Sequence, residues 1–354
     1  MHQHDVRVVL ERVPARLLIC LVPMSLSCEE AVQIAQESVA LLANVAVEDI
    51  TAEMLDGGAS NVIARVRGPG VDVLVRRDGP AANILVDRDC EVHYLTVLGE
   101  LGVGPRVHAH RDDVLVYDFV PGRPLPDVDE LRTEERQQAV ATRMVKYHSL
   151  KDARLFEPTG GPTKSDVWAR MDVMLEALAH IEPVGTDGAL LAVARNERRW
   201  LGERLSGDTE GKFASPIVFG HCDVNGGNVI LRPNETVVFI DHEYARPCER
   251  GYDIGEHLNE YMDIPYDNRH VDEVERRRFC KFYLEAAGAS TSDAAVDALV
   301  RESHLYGAVG HLFFGIWSLV RQFTGDDKVM DYRGYAWRRI AEYMSAKSFW
   351  EDDD

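Results

Sequence analysis

The chain has 354 residues, and 39 Lys and Arg against 59 Asp and Glu give a formal net charge of −20. That length suggests two domains or two lobes, and 45% hydrophobic with 28% charged residues is ordinary for a soluble globular protein. A field of this sign repels phosphodiester backbones and anionic lipid head groups, which disfavours a general nucleic-acid binder or a peripheral membrane protein. It favours a cationic substrate, or Mg²⁺, near exposed carboxylates.

Cysteine spacing and hydropathy bear on the compartment. The six cysteines never stand at C-x-x-C spacing, so neither a zinc site nor a thioredoxin-type motif is indicated, and scattered thiols fit a reducing cytoplasm. No stretch approaches 18 apolar residues, so we expect no membrane span. The short apolar run at 17–22 follows three arginines but lacks a cleavage site, and we interpret it as an early strand or an ordered leader.

The first third of the chain alternates helical and strand patterns. The predicted elements are a helix over 29–47 behind an N-cap at Ser27, strands over 62–66 and 71–76, a helix over 89–101 and a strand over 114–120. A Gly-Pro turn separates the first two strands, which predicts a hairpin. Pro121 and Gly122 then break the pattern.

Beyond residue 130 the pattern is mainly helical. Helices are predicted over 133–150, 165–181, 187–205, 271–287, 292–322 and 331–348, with a compact β segment at 217–241. A small α+β unit followed by a mostly helical unit, joined near 117–122, is a two-lobed α+β plan.

The densest chemical signal lies in the β segment. Asp223 stands five residues before Asn228, ahead of a short apolar run, and Asp241 ends the next run. Phosphoryl transfer needs a carboxylate that orients the attacking hydroxyl and oxygen ligands for Mg²⁺, and this spacing is typical of the kinase superfamily, without its D-F-G triplet. The alternative is a polar turn without function, but buried strands on both sides leave three polar groups at strand ends, which favours catalysis.

Two longer motifs closely resemble the choline/ethanolamine kinase family. They are I-D-H-E-Y at 240–244 and R-G-Y-D-I-G-E-H-L-N-E at 250–260. Gly57-Gly58-Ala59-Ser60-Asn61 is similar to the family's nucleotide loop, and G-H-L-F-F-G-I-W at 310–317 to its aromatic substrate helix. V-L-V-R at 73–76 followed by I-L-V-D-R-D at 84–89 most resembles the ethanolamine kinase branch. The resemblance extends from about residue 57 to about residue 343.

The resemblance implies a protein-kinase-like fold with a small β-rich N-lobe and a large, mainly helical C-lobe. Residues 1–120 would form the nucleotide-binding lobe with a helical leader, and 121–354 the catalytic and substrate-binding lobe. The implied reaction moves the γ-phosphoryl group of ATP, with Mg²⁺, to the hydroxyl of ethanolamine or choline, the first step of phospholipid head-group synthesis. The family also suggests a homodimer.

The resemblance assigns catalytic and nucleotide-binding roles. Asp223 would be the base, Asn228 and Asp241 the metal ligands, and Glu243 a support of the metal and phosphate site. The residues implied on the nucleotide side are Gly57, Gly58, Ser60 and Asn61 in the loop, Arg76 on the phosphates, Glu91 as the partner of Arg76, and the hinge 117–122 with Tyr117 and Phe119. An Arg fork can hold two phosphate oxygens, although a surface ion pair of Arg76 with Glu91 is an equal alternative.

A cationic amine needs carboxylates or aromatic faces around it. The substrate-side candidates are Asn225, Tyr244, Glu260, Phe314, Trp317 and Tyr335. The resemblance implies that Tyr244, Trp317 and Tyr335 line this pocket, whereas core packing is the alternative for each aromatic and is favoured for Phe314, Tyr252 and Tyr261. His148, His221 and His257 are interpreted as structural, and Asp253 as the residue that fixes the catalytic loop through backbone N–H groups.

Four positions depart from the family pattern. Cys222 and Glu256 each replace a common Asn, His242 a Phe, and Phe314 a Trp of the aromatic helix. The last change reduces the aromatic surface, so we expect ethanolamine to be preferred over choline. Other open readings are a choline kinase, an aminoglycoside-type kinase and a catalytically dead binding protein on the same fold; intact Asp223, Asn228 and Asp241 argue against the last.

Overall fold

The computed structural model describes residues 25–55, 61–78, 84–161, 164–181, 185–205, 213–262, 270–324 and 330–347. The chain divides into two compact units, Met1–Pro121 and Gly122–Asp354. The leader predicted at 17–22, together with Gly57, Gly58 and Ser60, lies outside the described residues.

The first unit is built on one antiparallel sheet in the strand order β1-β2-β3-β5-β4. Its elements are α1 Cys28–Ser38, β1 Thr51–Leu55, β2 Asn61–Gly68, β3 Val71–Asp78, α2 Arg88–Glu100, β4 Val107–Arg111 and β5 Val114–Asp118. Alternate residues of β2 and β3 are buried in one apolar core with α1, as expected for strands covered on one face. The predicted hairpin is confirmed, and Gly70 supplies the positive φ of its turn.

The second unit is mainly helical. Its elements are β6 Arg123–Pro124, α3 Val128–Leu131, α4 Glu134–His148, α5 Val167–Ile181, α6 Gly185–Leu205, β7 Ile217–Gly220, β8 Val229–Leu231, β9 Val237–Phe239, β10 Arg246–Glu249, α7 Arg250–Asn259, α8 Glu273–Ala286, α9 Asp293–Thr324 and α10 Tyr332–Ala346. Strand β7 pairs with β10, and β8 lies between β6 and β9. These two small sheets end at the loops that carry the polar motif, and α9 packs against both α7 and α10.

The predicted α+β plan, a small β-rich part followed by a helical part, is confirmed. The helix predicted over 29–47 is too long: α1 ends at Ser38 because Val39 adopts extended backbone, and a short 3₁₀ helix, Val47–Asp49, follows. Strands β1, β4 and β10 and helix α7 were not predicted. Across the described ranges, no helix is long and apolar enough to cross a membrane.

Candidate active site

The loop after β7 brings three of the predicted residues together. One carboxylate oxygen of Asp223 accepts a hydrogen bond from Asn225 Nδ2 at 3.0 Å, and the other accepts one from Asn228 Nδ2 at 2.9 Å. Asn225 Oδ1 in turn accepts the backbone N–H groups of Gly227 and Asn228, which caps a short 3₁₀ helix. The Asp223 carboxylate is therefore fixed by two side-chain amides.

Asp253, in the first turn of α7, holds this loop from its buried side. Its carboxylate accepts the backbone N–H groups of His221 at 3.1 Å and Cys222 at 2.6 Å, and His148 Nε2 lies 2.8 Å away. Burial alone would raise the pKa of Asp253, but the bond to His148 and those backbone bonds hold it below its usual range. Cys222 has a φ of 64°, so the loop needs such anchoring immediately before Asp223.

The three histidines that the sequence marks as structural are buried in hydrogen-bonded positions. His221 bonds to the carbonyl of Ile240 at 2.9 Å, and His257 to the carbonyl of Val224 at 2.7 Å. Burial lowers the pKa of His221, and lowers that of His257 to about 4. Neither ring is suited to carry a proton at neutral pH, which agrees with a structural role.

Asp241 follows β9 and lies next to the Asp223 loop. The N–H of Ile240 donates to the carbonyl of Asn228 at 3.0 Å, which ties the two segments together. Asp241 itself has a φ of 60° and a ψ of 72° and is exposed. Asn228 directs its amide nitrogen at Asp223, so its carbonyl oxygen is the atom available to a cation.

The donor set suits a cation held partly by a substrate. In the described part of the chain, no group of three or more His, Cys, Asp or Glu side chains is placed to bind a metal ion. Asn228 and Asp241 offer two hard oxygen ligands, and Mg²⁺ usually takes only one or two protein ligands alongside waters and substrate phosphates. The residues present therefore fit Mg²⁺ that arrives with a nucleotide.

Several carboxylates act on one another around Asp223. Burial raises the pKa of Asp223 well above its usual range, and the nearby carboxylates of Glu260, Asp241 and Glu243 raise it further. Cations bound beside these carboxylates would favour the ionised form of Asp223. An arrangement of this kind is suited to a reaction whose substrates bring positive charge with them.

Four aromatic side chains form an aromatic cluster in the same unit. They are Tyr244, Phe314, Trp317 and Tyr335, with ring centroids 6.0 Å apart for Tyr244–Phe314, 6.1 Å for Phe314–Trp317 and 6.5 Å for Trp317–Tyr335. Trp317 Nε1 donates to the hydroxyl of Tyr244 at 2.7 Å. Tyr252 and Tyr261 are fully buried against Phe313 and His257, in the core as expected. Phe314 is buried, as expected from the sequence, and its ring is also part of the aromatic cluster.

Glu260 is already engaged by a residue that sequence reasoning missed. Arg339, on α10, donates to Glu260, to Glu256 at 3.0 Å and to the hydroxyl of Tyr335 at 2.8 Å. Its guanidinium lies 5.3 Å from the ring centroid of Phe314 and 5.1 Å from that of Tyr335. The one signal in the sequence was its position four residues after Tyr335, on the same helical face.

In the first unit, Arg76 and Glu91 form a buried, bidentate ion pair. Their N···O distances are 2.5 and 2.9 Å, and the residues are 3% and 2% exposed, so the surface-pair alternative is wrong. Arg76 Nε also lies 2.8 Å from Asp78. Arg88, which was not predicted, joins this group by donating to Glu91 at 2.6 Å and to Asn61 at 3.0 Å.

The two predicted hinge aromatics lie at the end of β5. Tyr117 pairs with Leu74 of β3, so its side chain is on the same face of the sheet as that of Arg76. The backbone N–H of Phe119 donates to the carbonyl of Asp72, and the guanidinium of Arg65 covers the Phe119 ring at 3.5 Å. The Phe119 side chain is thus occupied within its own unit, which leaves a hinge role to backbone groups.

Comparisons with known proteins identify the family and the fold. A sequence model of the choline/ethanolamine kinase family matches residues 52–344. The chain is 27% identical over 296 residues to probable choline kinase 1 of Arabidopsis thaliana, across 81% of this chain and 78% of that protein. It is 28% identical over 263 residues to ethanolamine kinase 2 of Mus musculus, across 73% of this chain and 65% of that protein. The solved structure of a Plasmodium vivax ethanolamine kinase superimposes with a TM-score of 0.74 at 19% identity, covering 92% of this chain and 96% of that one, and shows the same fold.

Proposed function

Since the chain belongs to the choline/ethanolamine kinase family, we propose that it transfers the γ-phosphoryl group of ATP to the hydroxyl of a small amino alcohol, with ethanolamine preferred. The observation that supports this most strongly is that the Asp223 loop and the aromatic cluster are neighbours. Burial is the largest cause that raises the pKa of Tyr244, and the nearby charges of Glu243 and Asp223 raise it further. A reacting hydroxyl at Asp223 would therefore place an attached amine near the aromatic rings and Glu260.

In the proposed reaction, Asp223 orients the substrate hydroxyl and accepts its proton, while Asn225 and Asn228 keep the carboxylate in place. When bound, Mg²⁺ would neutralise charge on the transferring phosphoryl group. Asn228 and Asp241 would hold it, and Glu243 would support them. Tyr244, Phe314, Trp317 and Tyr335 would surround the amine, because aromatic faces attract cations.

We propose that ATP phosphates bind to the group formed by Arg76, Glu91, Asn61 and Arg88. Replacing Arg76 with Ala should raise the KM for ATP much more than the KM for the amino alcohol, because a charge-assisted contact to phosphate would be lost. Steady-state kinetics with each substrate varied separately will measure this. Since Arg76 is a buried ion-pair partner, Arg76→Lys serves as a charge-preserving control. Unchanged ATP binding by Arg76→Ala, measured by calorimetry, would contradict a role of Arg76 in binding ATP phosphates.

Ethanolamine should have a higher kcat/KM than choline. A primary ammonium has three N–H donors for carboxylate oxygens, whereas a trimethylammonium has none and depends on aromatic faces. A weakened cation–π contact costs about 0.5–2 kcal/mol, so we expect a preference of at most roughly ten- to thirtyfold. Phe314→Trp should shift the ratio toward choline. A higher value for choline in the unmodified protein, at the same ATP and Mg²⁺, would overturn this preference.

The function is tested by an ATP-consumption assay with ethanolamine, monomethylethanolamine, dimethylethanolamine, choline and several aminoglycosides. Activity with the amino alcohols and not with aminoglycosides is expected. Activity confined to aminoglycosides would support the other enzyme class. Absence of turnover with every compound, despite nucleotide binding, would support a catalytically dead protein.

A further inference from the structure

Next to the aromatic cluster, one buried arginine is shared by two glutamates. Arg339 donates through one terminal nitrogen to both Glu256 and Glu260, and the exposed side-chain fractions are 4%, 1% and 13%. When both carboxylates are ionised, one guanidinium against two carboxylates leaves the group at −1. Glu260 is the more accessible of the two carboxylates, and its charge is the one that also acts on Asp223.

Glu256 is held in this place by contacts on both of its oxygens. Oε1 accepts from Arg339, and Oε2 accepts from Asn259 Nδ2 at 2.9 Å. Asn259 is fixed in turn by donating to the carbonyl of Gly307 in α9 at 2.9 Å. A Cβ at Gly310 would collide with Glu256 Oε2, so α9 has a glycine where the carboxylate lies. Both oxygens of the Glu256 side chain are thus hydrogen-bonded, and α9 leaves room for them.

Two side chains that contact Arg339, one on α9 and one on α10, bring no charge of their own. On α9, His311 faces Arg339, and burial together with Arg339 holds the pKa of His311 well below its usual range, so this ring is neutral. On α10, Arg339 is accompanied by Tyr335, which is uncharged. Burial and the charge of Glu260 raise the pKa of Glu256, although Arg339 opposes the shift, so the pair of glutamates tends to hold a proton. A further cation beside Glu260, such as an ammonium group, would favour the form in which both carboxylates are ionised.

We propose that Glu256 is a specificity-determining, positioning residue, which neutralises Arg339 and so leaves Glu260 its negative charge for the ammonium group of the substrate. This inference rests on the proposed function. Without the Glu256 carboxylate, Arg339 and Glu260 would form a neutral pair, and the substrate ammonium would have to compete with Arg339 for Glu260. Glu256 would act through Arg339, without touching the substrate.

The test is Glu256→Gln, which keeps the shape of the side chain and removes its charge. We expect the KM for ethanolamine to rise about tenfold or more, since a contact to a charged group would be weakened. The KM for ATP and kcat should change less than threefold, a split that a general loss of structure would not produce. Glu256→Asp, which retains the charge, should stay closer to the unmodified protein than Glu256→Gln.

Glu302→Gln is the matched control, because Glu302 also forms a buried pair with an arginine, Arg250, but lies about 18 Å along α9 from Phe314. It should leave every kinetic constant within about twofold.

The double variant Glu256→Gln/Arg339→Met restores the net charge of −1. We expect it to reverse at least half of the increase in the logarithm of the KM for ethanolamine that Glu256→Gln causes. If Glu256→Gln alone does not fold, the KM of the double variant for ethanolamine is compared with those of Arg339→Met and the unmodified protein.

An unchanged KM for ethanolamine in Glu256→Gln, or equal losses for ATP and ethanolamine, would overturn the inference while the unmodified enzyme remained active. If Glu256→Gln does not fold, the double variant decides: a KM for ethanolamine tenfold above that of the unmodified protein would overturn the inference about Glu256. An unmodified protein that phosphorylates no amino alcohol would instead overturn the proposed function, and this inference with it.

Discussion

Replacing Asp223 with Asn should lower kcat by about 10³-fold or more, because positioning and electrostatic contributions of that size are typical of phosphoryl transfer. The variant keeps the shape of the side chain, and its amide oxygen can still accept one of the two hydrogen bonds from Asn225 and Asn228, so the loop should stay folded. What it loses is the ability to accept the proton of the attacking hydroxyl. The measurement is kcat at saturating ATP, Mg²⁺ and ethanolamine, with thermal unfolding as a check on folding.

Asp172→Asn is a suitable control, since Asp172 is an exposed aspartate paired with Arg198 on a neighbouring helix. It should retain full activity. If Asp223→Asn keeps more than a tenth of the kcat of the unmodified protein, Asp223 is not the base, and the catalytic role proposed for the whole loop has to be revised.

Replacing Asp241 should be nearly as damaging, with a loss of about 10³-fold. Asp241 has a positive φ, which Asn tolerates much better than Ala does, so Asp241→Asn separates the loss of a ligand from backbone strain. Both Asp241→Asn and Asp241→Ala should be inactive, but only the second should also lower the unfolding temperature. Activity is to be titrated against Mg²⁺ concentration.

If Asp241 is a metal ligand, the Mg²⁺ concentration that gives half-maximal activity rises in Asp241→Asn. A variant with normal activity and an unchanged Mg²⁺ requirement would show that Asp241 is only a turn residue.

The proximity of the residues in the Asp223 loop could be predicted because its information is local. Asp223 and Asn228 are five residues apart, and Asp241 follows after one hairpin, so spacing and two short apolar runs were sufficient. The β2–β3 hairpin was equally local, because its Gly-Pro turn and alternating residues lie within one short segment. Where a contact depends on neighbours along the chain, the sequence identifies it.

Helix α7 has no solvent-exposed face. Every residue after Arg250 in this helix is buried, including Asp253, Glu256 and His257, so its polar residues do not mark a surface helix in the usual way. The polar residues are accommodated by partners far away in the chain, such as His148 for Asp253. Burial of this kind is decided by tertiary packing.

The Arg339 group could not be predicted for a similar reason. Arg339 and Glu260 are 79 residues apart, and no local pattern indicates that they meet. The sequence made Glu260 a candidate for the substrate amine, whereas the structure adds that Glu260 already has a cationic neighbour. Arg88 was not predicted, yet both Arg76 and Arg88 bond to Glu91.

The most direct test of the account is to incubate the protein with ATP, Mg²⁺ and ethanolamine and to follow the phosphorus resonances by NMR. The account predicts that ADP and a phosphomonoester of ethanolamine form in equal amounts, and that neither forms with Asp223→Asn. Release of inorganic phosphate without any phosphomonoester, or a phosphomonoester formed equally fast by Asp223→Asn, would contradict it.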